Sequence, residues 1–134
     1  MKYILDTNIC IYIIKQKPIR VFEKFKKLPL GSVGISIITF SELQYGMRKS
    51  TQLEKNQLAL NQFLVPLEII DFNMNAAIEY GRIRTNLEKI GTPIGPLDTL
   101  IAAHVKSLRL TLVTNNEKEF SRIDGLEIAN WSKE

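Results

Sequence analysis

The chain has 134 residues, 45% of them hydrophobic, which is enough to bury one core, so we predict a single domain over residues 1–134. Its formal charge of +4 favours a polyanionic partner, and its single cysteine excludes an intrachain disulfide. The sequence contains neither an apolar run of membrane-spanning length nor a signal-peptide pattern, so we expect a cytoplasmic protein without a membrane partner.

Short apolar segments along the chain predict five buried β-strands. Each is bounded by polar or turn residues, as is typical of strands covered by helices on both faces. The segments are residues 2–6, 33–38, 66–70, 111–114 and 126–129.

Helical periodicity fills the intervals between these strands. The clearest pattern places apolar residues at steps of four and three before Gly91, where the helix is expected to end. Strands that alternate with helices predict right-handed crossovers and a mostly parallel sheet, hence an α/β sandwich. The three apolar stripes are Ala76, Tyr80, Ile83, Leu87 and Ile90; Leu97, Ile101, Val105 and Leu108; and Leu53, Leu60, Phe63 and Leu64.

A basic stretch runs from Lys15 to Lys27 and includes Arg20, Lys24 and Lys26. Its simplest interpretation is the solvated surface of a helix, and contact with phosphates is the alternative. Cys10 lies in an apolar run and is expected to be a buried structural thiol.

Acidic residues stand where predicted strands turn into helices. Asp6 follows the first strand and is placed to cap a helix that begins near Ile9. Glu42 and Thr39 have the spacing of a capping box. Asp98 follows a loop rich in glycine and proline and falls in the first turn of a helix. Helix capping alone would explain each of these acids.

Asn116 and Glu119 repeat the arrangement after the fourth strand, as a cap and the third residue beyond it. As a group the acids indicate more than capping, because the carboxyl ends of parallel strands share one edge, where ligand sites gather. Repulsion between two carboxylates about 4 Å apart costs on the order of 4 kcal/mol, which a divalent cation would offset. Oxygen ligands favour Mg²⁺ or Mn²⁺ over zinc, and His104 is expected to pack or to contact a partner.

In this order and spacing, these residues resemble the PIN-domain family and its VapC branch. The likeness runs nearly from end to end, and the loop GTPIGPLD is particular to VapC-like toxins. The resemblance implies a PIN-like three-layer α/β/α sandwich around a mostly parallel five-stranded sheet. It rests on MKYILDTNICIY at 1–12, ISIITFSELQYG at 35–46, GTPIGPLDTLIAAH at 91–104, TLVTNNEKEF at 111–120 and GLEIANW at 125–131.

The resemblance also implies which residues form the site. Asp6, Glu42 and Asp98 would hold Mg²⁺ or Mn²⁺ and, with a fourth group, act in catalysis. In the family that fourth position is often aspartate, whereas this chain has Asn116 there and an acid at Glu119, so both are candidate catalytic residues. The side chains of Thr7, Asn8 and Thr114 are expected to orient waters or ligands.

The implied activity is that of a metal-dependent endoribonuclease, the toxin of a type II, VapBC-like toxin–antitoxin system. It would hydrolyse RNA phosphodiester bonds, with tRNA as the favoured substrate. The implied partners are an inhibitory VapB-like antitoxin, a second copy of the chain in a homodimer, and operator DNA through the antitoxin only.

Three other functions are compatible with parts of the sequence. A phosphatase with an aspartate nucleophile would need an acid two residues after Asp6, where Asn8 stands. A dinucleotide-binding module would need a G-x-G-x-x-G turn after the first strand, and that turn is absent. A catalytically weak PIN-like scaffold, which binds RNA or protein without cutting, stays open because Asn116 carries no charge. Metal-dependent cleavage that is lost on Asp6→Asn would distinguish the nuclease from the scaffold.

Overall fold

Strands and helices alternate along the chain in the computed structural model, which describes residues 1–133. Residue 134, the last of the predicted single domain, lies outside the described residues. The strands are β1 (Tyr3–Leu5), β2 (Val33–Ser36), β3 (Glu68–Ile70), β4 (Thr111–Val113) and β5 (Glu127–Ala129). The helices are α1 (Thr7–Lys15), α2 (Ile19–Lys27), α3 (Ile37–Arg48), α4 (Leu53–Leu64), α5 (Met74–Lys89), α6 (Pro96–Leu108) and α7 (Glu117–Phe120).

All neighbouring strands pair in parallel, in the order β3-β2-β1-β4-β5, which confirms the predicted parallel sheet. The chain leaves β1 toward β2 on one side, whereas it leaves β4 toward β5 on the other. In an open parallel sheet, a crevice forms at the carboxyl ends of two adjacent strands whose following connections diverge in this way. The fold therefore places its natural ligand crevice beyond Leu5 and Val113, which are paired residues of β1 and β4.

Helices cover both faces of the sheet, as the α/β/α prediction requires. Successive residues of a strand point to opposite faces, so Leu5 joins a core with α1 to α4 and Ile4 joins a second core with α5 and α6. Leu112 and Val113 of β4 divide between the two cores in the same way. Within residues 1–133, no helix combines the length and the apolar composition needed to cross a bilayer.

The prediction that all five strands are buried is wrong for β3 and β5. These are the two edge strands, and Glu68, Ile69 and Glu127 are exposed. An edge strand has a neighbour on only one side, so fewer of its side chains are covered. The bounds of β2 also differ from the prediction, because the strand ends at Ser36 and α3 begins at the next residue.

The predicted helical stripes are confirmed in their middle and wrong at one end. On α5, Ala76, Ile83 and Leu87 are buried, whereas Ile90, which follows the helix, is 57% exposed. Leu97 in the first turn of α6 is 45% exposed. Leu53 at the start of α4 is also exposed. Periodicity identified the helices but overestimated burial at their termini.

Candidate active site at the carboxyl edge of the sheet

Asp6 lies at the bottom of the crevice, immediately after β1, and is only 5% exposed. Its Oδ1 accepts a hydrogen bond of 2.9 Å from the backbone N–H of Ile9, so the predicted helix cap is confirmed. Burial raises the pKa of Asp6 to about 6, with further increases from the charges of Asp98 and Glu42; hydrogen bonds from Thr114 and Ile9 oppose that rise. The Asp6 side chain therefore caps α1 although its buried surroundings disfavour the ionised carboxylate.

Glu42 points back across the crevice from the second turn of α3. The prediction that it belongs to a capping box with Thr39 is wrong, because α3 is capped by Ser36, whose Oγ accepts from the N–H of Ile38 at 3.0 Å. Instead, the hydroxyl of Thr7 donates to Glu42 Oε1 at 2.6 Å. Since Glu42 has no capping role, local helix chemistry does not account for it.

Asp98 approaches the same crevice from the other helical layer. Pro96 begins α6 and Gly95 precedes it, so Asp98 occupies the first turn as predicted and is half-buried. Burial raises the pKa of Asp98, and the negative charges of Glu119 and Glu42 raise it further. The fold thus brings four acids that are distant in sequence together, with Asp98 in electrostatic range of the other three.

The chain after β4 completes this acidic edge. Asn116 occupies the N-cap position of α7 as predicted, but its side chain forms no capping hydrogen bond, and its Nδ2 donates to Glu119 Oε2 at 2.9 Å. Its backbone N–H donates to the Oγ1 of the buried Thr114 at 2.9 Å. Asn116 thus holds the Glu119 carboxylate, while Asn8 is exposed beside the crevice.

The donor chemistry at this edge fits a hard divalent cation. Within residues 1–133, no three acidic, histidine or cysteine side chains stand close enough to form a complete metal cage. Mg²⁺ does not require one, since it usually keeps several waters and binds through one or two carboxylates. The available ligands are carboxylate, hydroxyl and amide oxygens, which suit Mg²⁺ or Mn²⁺ and not a tetrahedral zinc site.

His104 and Cys10 have structural surroundings, as expected. The Nδ1 of the buried His104 lies 2.7 Å from the Oγ of Ser36, and Phe72 packs edge-on against the ring. Burial lowers the pKa of His104, although Asp71 opposes part of the decrease. Cys10 is fully buried in the core against α1 to α4, and burial raises the pKa of its thiol.

Sequence analysis missed two features next to the crevice. Thr39 is fully buried, and its hydroxyl oxygen lies 3.4 Å from that of Thr7, so it borders the Thr7–Glu42 hydrogen bond. An apolar groove also lies between α1, α3 and α4, with Glu42 and Lys15 among its lining residues. The groove draws on three helices that are distant in sequence, so no local pattern identifies it.

Comparison with known proteins shows a likeness over nearly the whole chain. A model of the PIN domain matches residues 3–126. Ribonuclease VapC2 of Rickettsia felis is 47% identical over 134 residues, which are 99% of this chain and 100% of that protein. The tRNA(fMet)-specific endonuclease VapC of Shigella flexneri is 43% identical over 98% of this chain and 99% of its own length. In the crystal structure of VapBC2 from Rickettsia felis bound to a promoter DNA fragment, a 46% identical chain has a TM-score of 0.92, with 98% of this chain and 99% of that chain covered.

Proposed function

Because this chain belongs to the PIN-domain family, in its VapC branch, we propose that it is the ribonuclease toxin of a toxin–antitoxin pair. The observation that carries the proposal is the acidic edge at the divergence of β1 and β4. There Asp6 is buried with its pKa raised to about 6, by burial first and then by the charges of Asp98 and Glu42. Repulsion among uncompensated carboxylates destabilises the fold, and binding of a cation would both offset that repulsion and explain why the acids are placed together.

In this proposal Asp6, Asp98 and Glu42 hold one or more Mg²⁺ or Mn²⁺ ions. A bound divalent ion would supply an activated water and neutralise charge that builds up on the phosphoryl oxygens. The backbone N–H of Ile9 and the hydroxyl of Thr114 orient Asp6. Substrate RNA is hydrolysed at the phosphodiester bond that lies against this edge.

Glu42 is the proposed acceptor of the proton from the attacking water. The Thr7 hydroxyl donates to its Oε1 at 2.6 Å and so restricts the orientation of the carboxylate. General base catalysis of this kind typically contributes about 10² to 10⁴-fold to the rate.

Asn116 and Glu119 together take the fourth position of the site. The Asn116 amide carries no charge, but its hydrogen bond of 2.9 Å orients the Glu119 carboxylate, which acts on Asp98 electrostatically. This arrangement supplies the negative charge that the asparagine lacks. It therefore favours a nuclease over the scaffold that binds without cutting.

The proposed substrate is tRNA. Support comes from the relative in Shigella flexneri, which is a tRNA(fMet)-specific endonuclease and 43% identical to this chain. Sequence-specific RNA recognition usually targets single-stranded loops, so a loop of the tRNA is the expected point of cleavage.

The proposed inhibitor is a VapB-like antitoxin, whose tail occupies the groove between α1, α3 and α4. The groove is lined mainly by apolar side chains and includes Glu42, so a bound segment would contact one of the acids and could place a basic side chain beside it. We also propose that residues 1–134 form one ribonuclease domain that acts as a homodimer in the cytoplasm. Operator DNA would be bound only through the antitoxin, a view supported by the promoter-bound VapBC2 complex.

The test is cleavage of bulk tRNA by metal-stripped protein, with and without added Mg²⁺ or Mn²⁺, beside the variants Asp6→Asn and Asp98→Asn. Discrete fragments that require metal and disappear in both variants are the expected result. Asp124→Asn, at an exposed acid outside the crevice, is the matched control and should keep full activity. Intact tRNA, mRNA and rRNA after treatment with folded, antitoxin-free protein would refute the nuclease and favour the scaffold.

A further inference from the structure

The positive charge of this chain is concentrated in one segment. Residues 15–27, here called the basic segment, contain six of the 18 Lys and Arg residues but only one of the 14 acids, Glu23. The segment therefore carries a net charge of +5, whereas the rest of the chain carries −1. The excess that makes the protein basic comes from the end of α1, the following turn and α2.

Three lysines of the basic segment lack the ion pairs that two arginines on α5 form, whereas Arg20 of the segment donates a hydrogen bond to the carbonyl of Ser132. On α5, Arg82 and Arg84 form ion pairs with glutamates of the same helix at 2.9 and 3.2 Å. The side chains of Lys15, Lys17 and Lys27 are exposed and form no ion pair or hydrogen bond with any of residues 1–133. Their charges are therefore available to a ligand.

The protein side chains that act electrostatically in the crevice do not attract RNA, so apart from a bound cation the attraction has to come from elsewhere on the protein. The charges that act on Asp6 and Asp98 are all carboxylates, which repel phosphates. The basic segment begins at the end of α1, about 12 Å along that helix from Thr7, and a groove lined by both Lys15 and Glu42 connects it with the acids. From there α2 extends for nine residues, about 13 Å, with Lys27 as its last residue.

We infer that the basic segment is the surface that binds the RNA backbone, and that it holds the substrate strand leading into the acidic crevice. This inference rests on the proposed ribonuclease function and adds the location of substrate binding. Lys15 and Lys17 contact phosphates one helix length from Asp6, and Lys27 contacts the strand further away. The contacts are electrostatic and independent of base sequence, so they contribute affinity and leave the choice of bond to the crevice.

The test compares two triple variants in an Asp98→Asn background, in which RNA is bound without cleavage. One variant changes Lys15, Lys17 and Lys27 to Gln. The matched control changes Arg48, Lys55 and Lys89 to Gln, which removes the same charge from exposed positions on or beside α3, α4 and α5. Affinity for fluorescently labelled bulk tRNA is measured by anisotropy across a series of KCl concentrations.

For the basic-segment variant, the slope of log affinity against log salt should decrease in magnitude by about 2 to 3, since each phosphate contact contributes roughly 0.7 to 0.9. Affinity at moderate salt should fall by about tenfold or more, while the control stays close to the parent. Lys→Arg at the same three positions should restore both quantities. In the cleavage-competent protein, the basic-segment variant should raise KM for tRNA and leave kcat unchanged.

Several results would overturn the inference. Equal losses of tRNA affinity in the two variants would indicate that total charge matters and that no particular surface binds RNA. A parent protein that does not bind tRNA would also contradict the inference. Unchanged tRNA affinity with weaker binding of the protein encoded by the adjacent gene would assign the segment to a protein partner. Failure of the ribonuclease proposal has a different signature, in which tRNA is bound through the segment and never cut.

Discussion

Two neighbouring strands of the sheet are each followed by a helix whose first turn is capped by a buried side chain, but the two capping side chains have different surroundings. Asp6 follows β1 and caps α1, whereas Ser36 ends β2 and caps α3, and both side chains are buried. Asp6 faces two other carboxylates, and its pKa is raised to about 6 by burial and by those charges. Ser36 faces the neutral ring of His104 at 2.7 Å. Burial of a polar side chain is thus unfavourable at Asp6 and is matched by a hydrogen-bonding contact at Ser36, and this difference supports the proposal that Asp6 belongs to the functional site.

The difference between Asp6 and Ser36 should be largest in the rate of RNA cleavage. Asp6→Asn removes the charge proposed to hold the metal, so RNA cleavage should fall by at least about 100-fold. Ser36→Ala changes only a structural contact and should keep the cleavage rate per folded molecule within about threefold. Initial rates on tRNA at saturating Mg²⁺, normalised to the folded fraction, measure both. Comparable losses in the two variants would contradict the division of roles.

The same Asp6→Asn change should stabilise the metal-free protein. The pKa of Asp6 rises from 3.8 unfolded to about 6 folded, so its contribution to stability is present below pH 3.8 and is lost as pH rises through 6. A shift of this size corresponds to at most about 3 kcal/mol in favour of the asparagine variant at pH 7.5. The advantage should shrink toward pH 4. Urea unfolding in EDTA at both pH values measures it, and a variant that is destabilised at pH 7.5 would show that burial of the Asp6 charge is not costly.

Ser36→Ala should lower the free energy of unfolding, whereas Asp6→Asn should raise it. It leaves the His104 Nδ1 without its partner and removes the cap of α3, which together should cost about 1 to 3 kcal/mol of stability. Adding His104→Phe to the alanine variant should recover part of that loss, since removing both polar partners is less costly than removing one. A double-mutant cycle by urea denaturation tests this coupling. Simple additivity of the two changes would argue against it.

The smallest expected effect concerns the Thr7 hydroxyl. Thr7→Val removes the hydrogen bond to Glu42 Oε1 and should lower kcat by about tenfold, with little change in stability. Thr7→Ser keeps the hydroxyl and should remain close to wild type. Rates measured across a pH series distinguish positioning of Glu42 from a packing defect, because only the former should alter the profile. An unchanged profile in the valine variant would exclude the positioning role.

The apolar pattern of the sequence predicted the five strands, the main helices and the parallel α/β/α class, because burial imposes periods of two and 3.6 residues on strands and helices. It also predicted the helix-start positions of Asp6 and Asp98, since caps and proline-led first turns depend on adjacent residues. Together with the family resemblance, these patterns were sufficient to nominate every candidate residue of the acidic site.

Tertiary structure decided the features that depend on residues distant in the chain. Burial in strands β3 and β5 depends on their edge positions, and sequence analysis overestimated it. The role of Glu42 depends on Thr7, 35 residues away, and the partner of Ser36 is His104, 68 residues away. The crevice exists because β1 and β4 are neighbours whose connections diverge, and strand order is not encoded in any local pattern. Local chemistry therefore determined which residues cap helices, and long-range packing determined which of them face one another as charges.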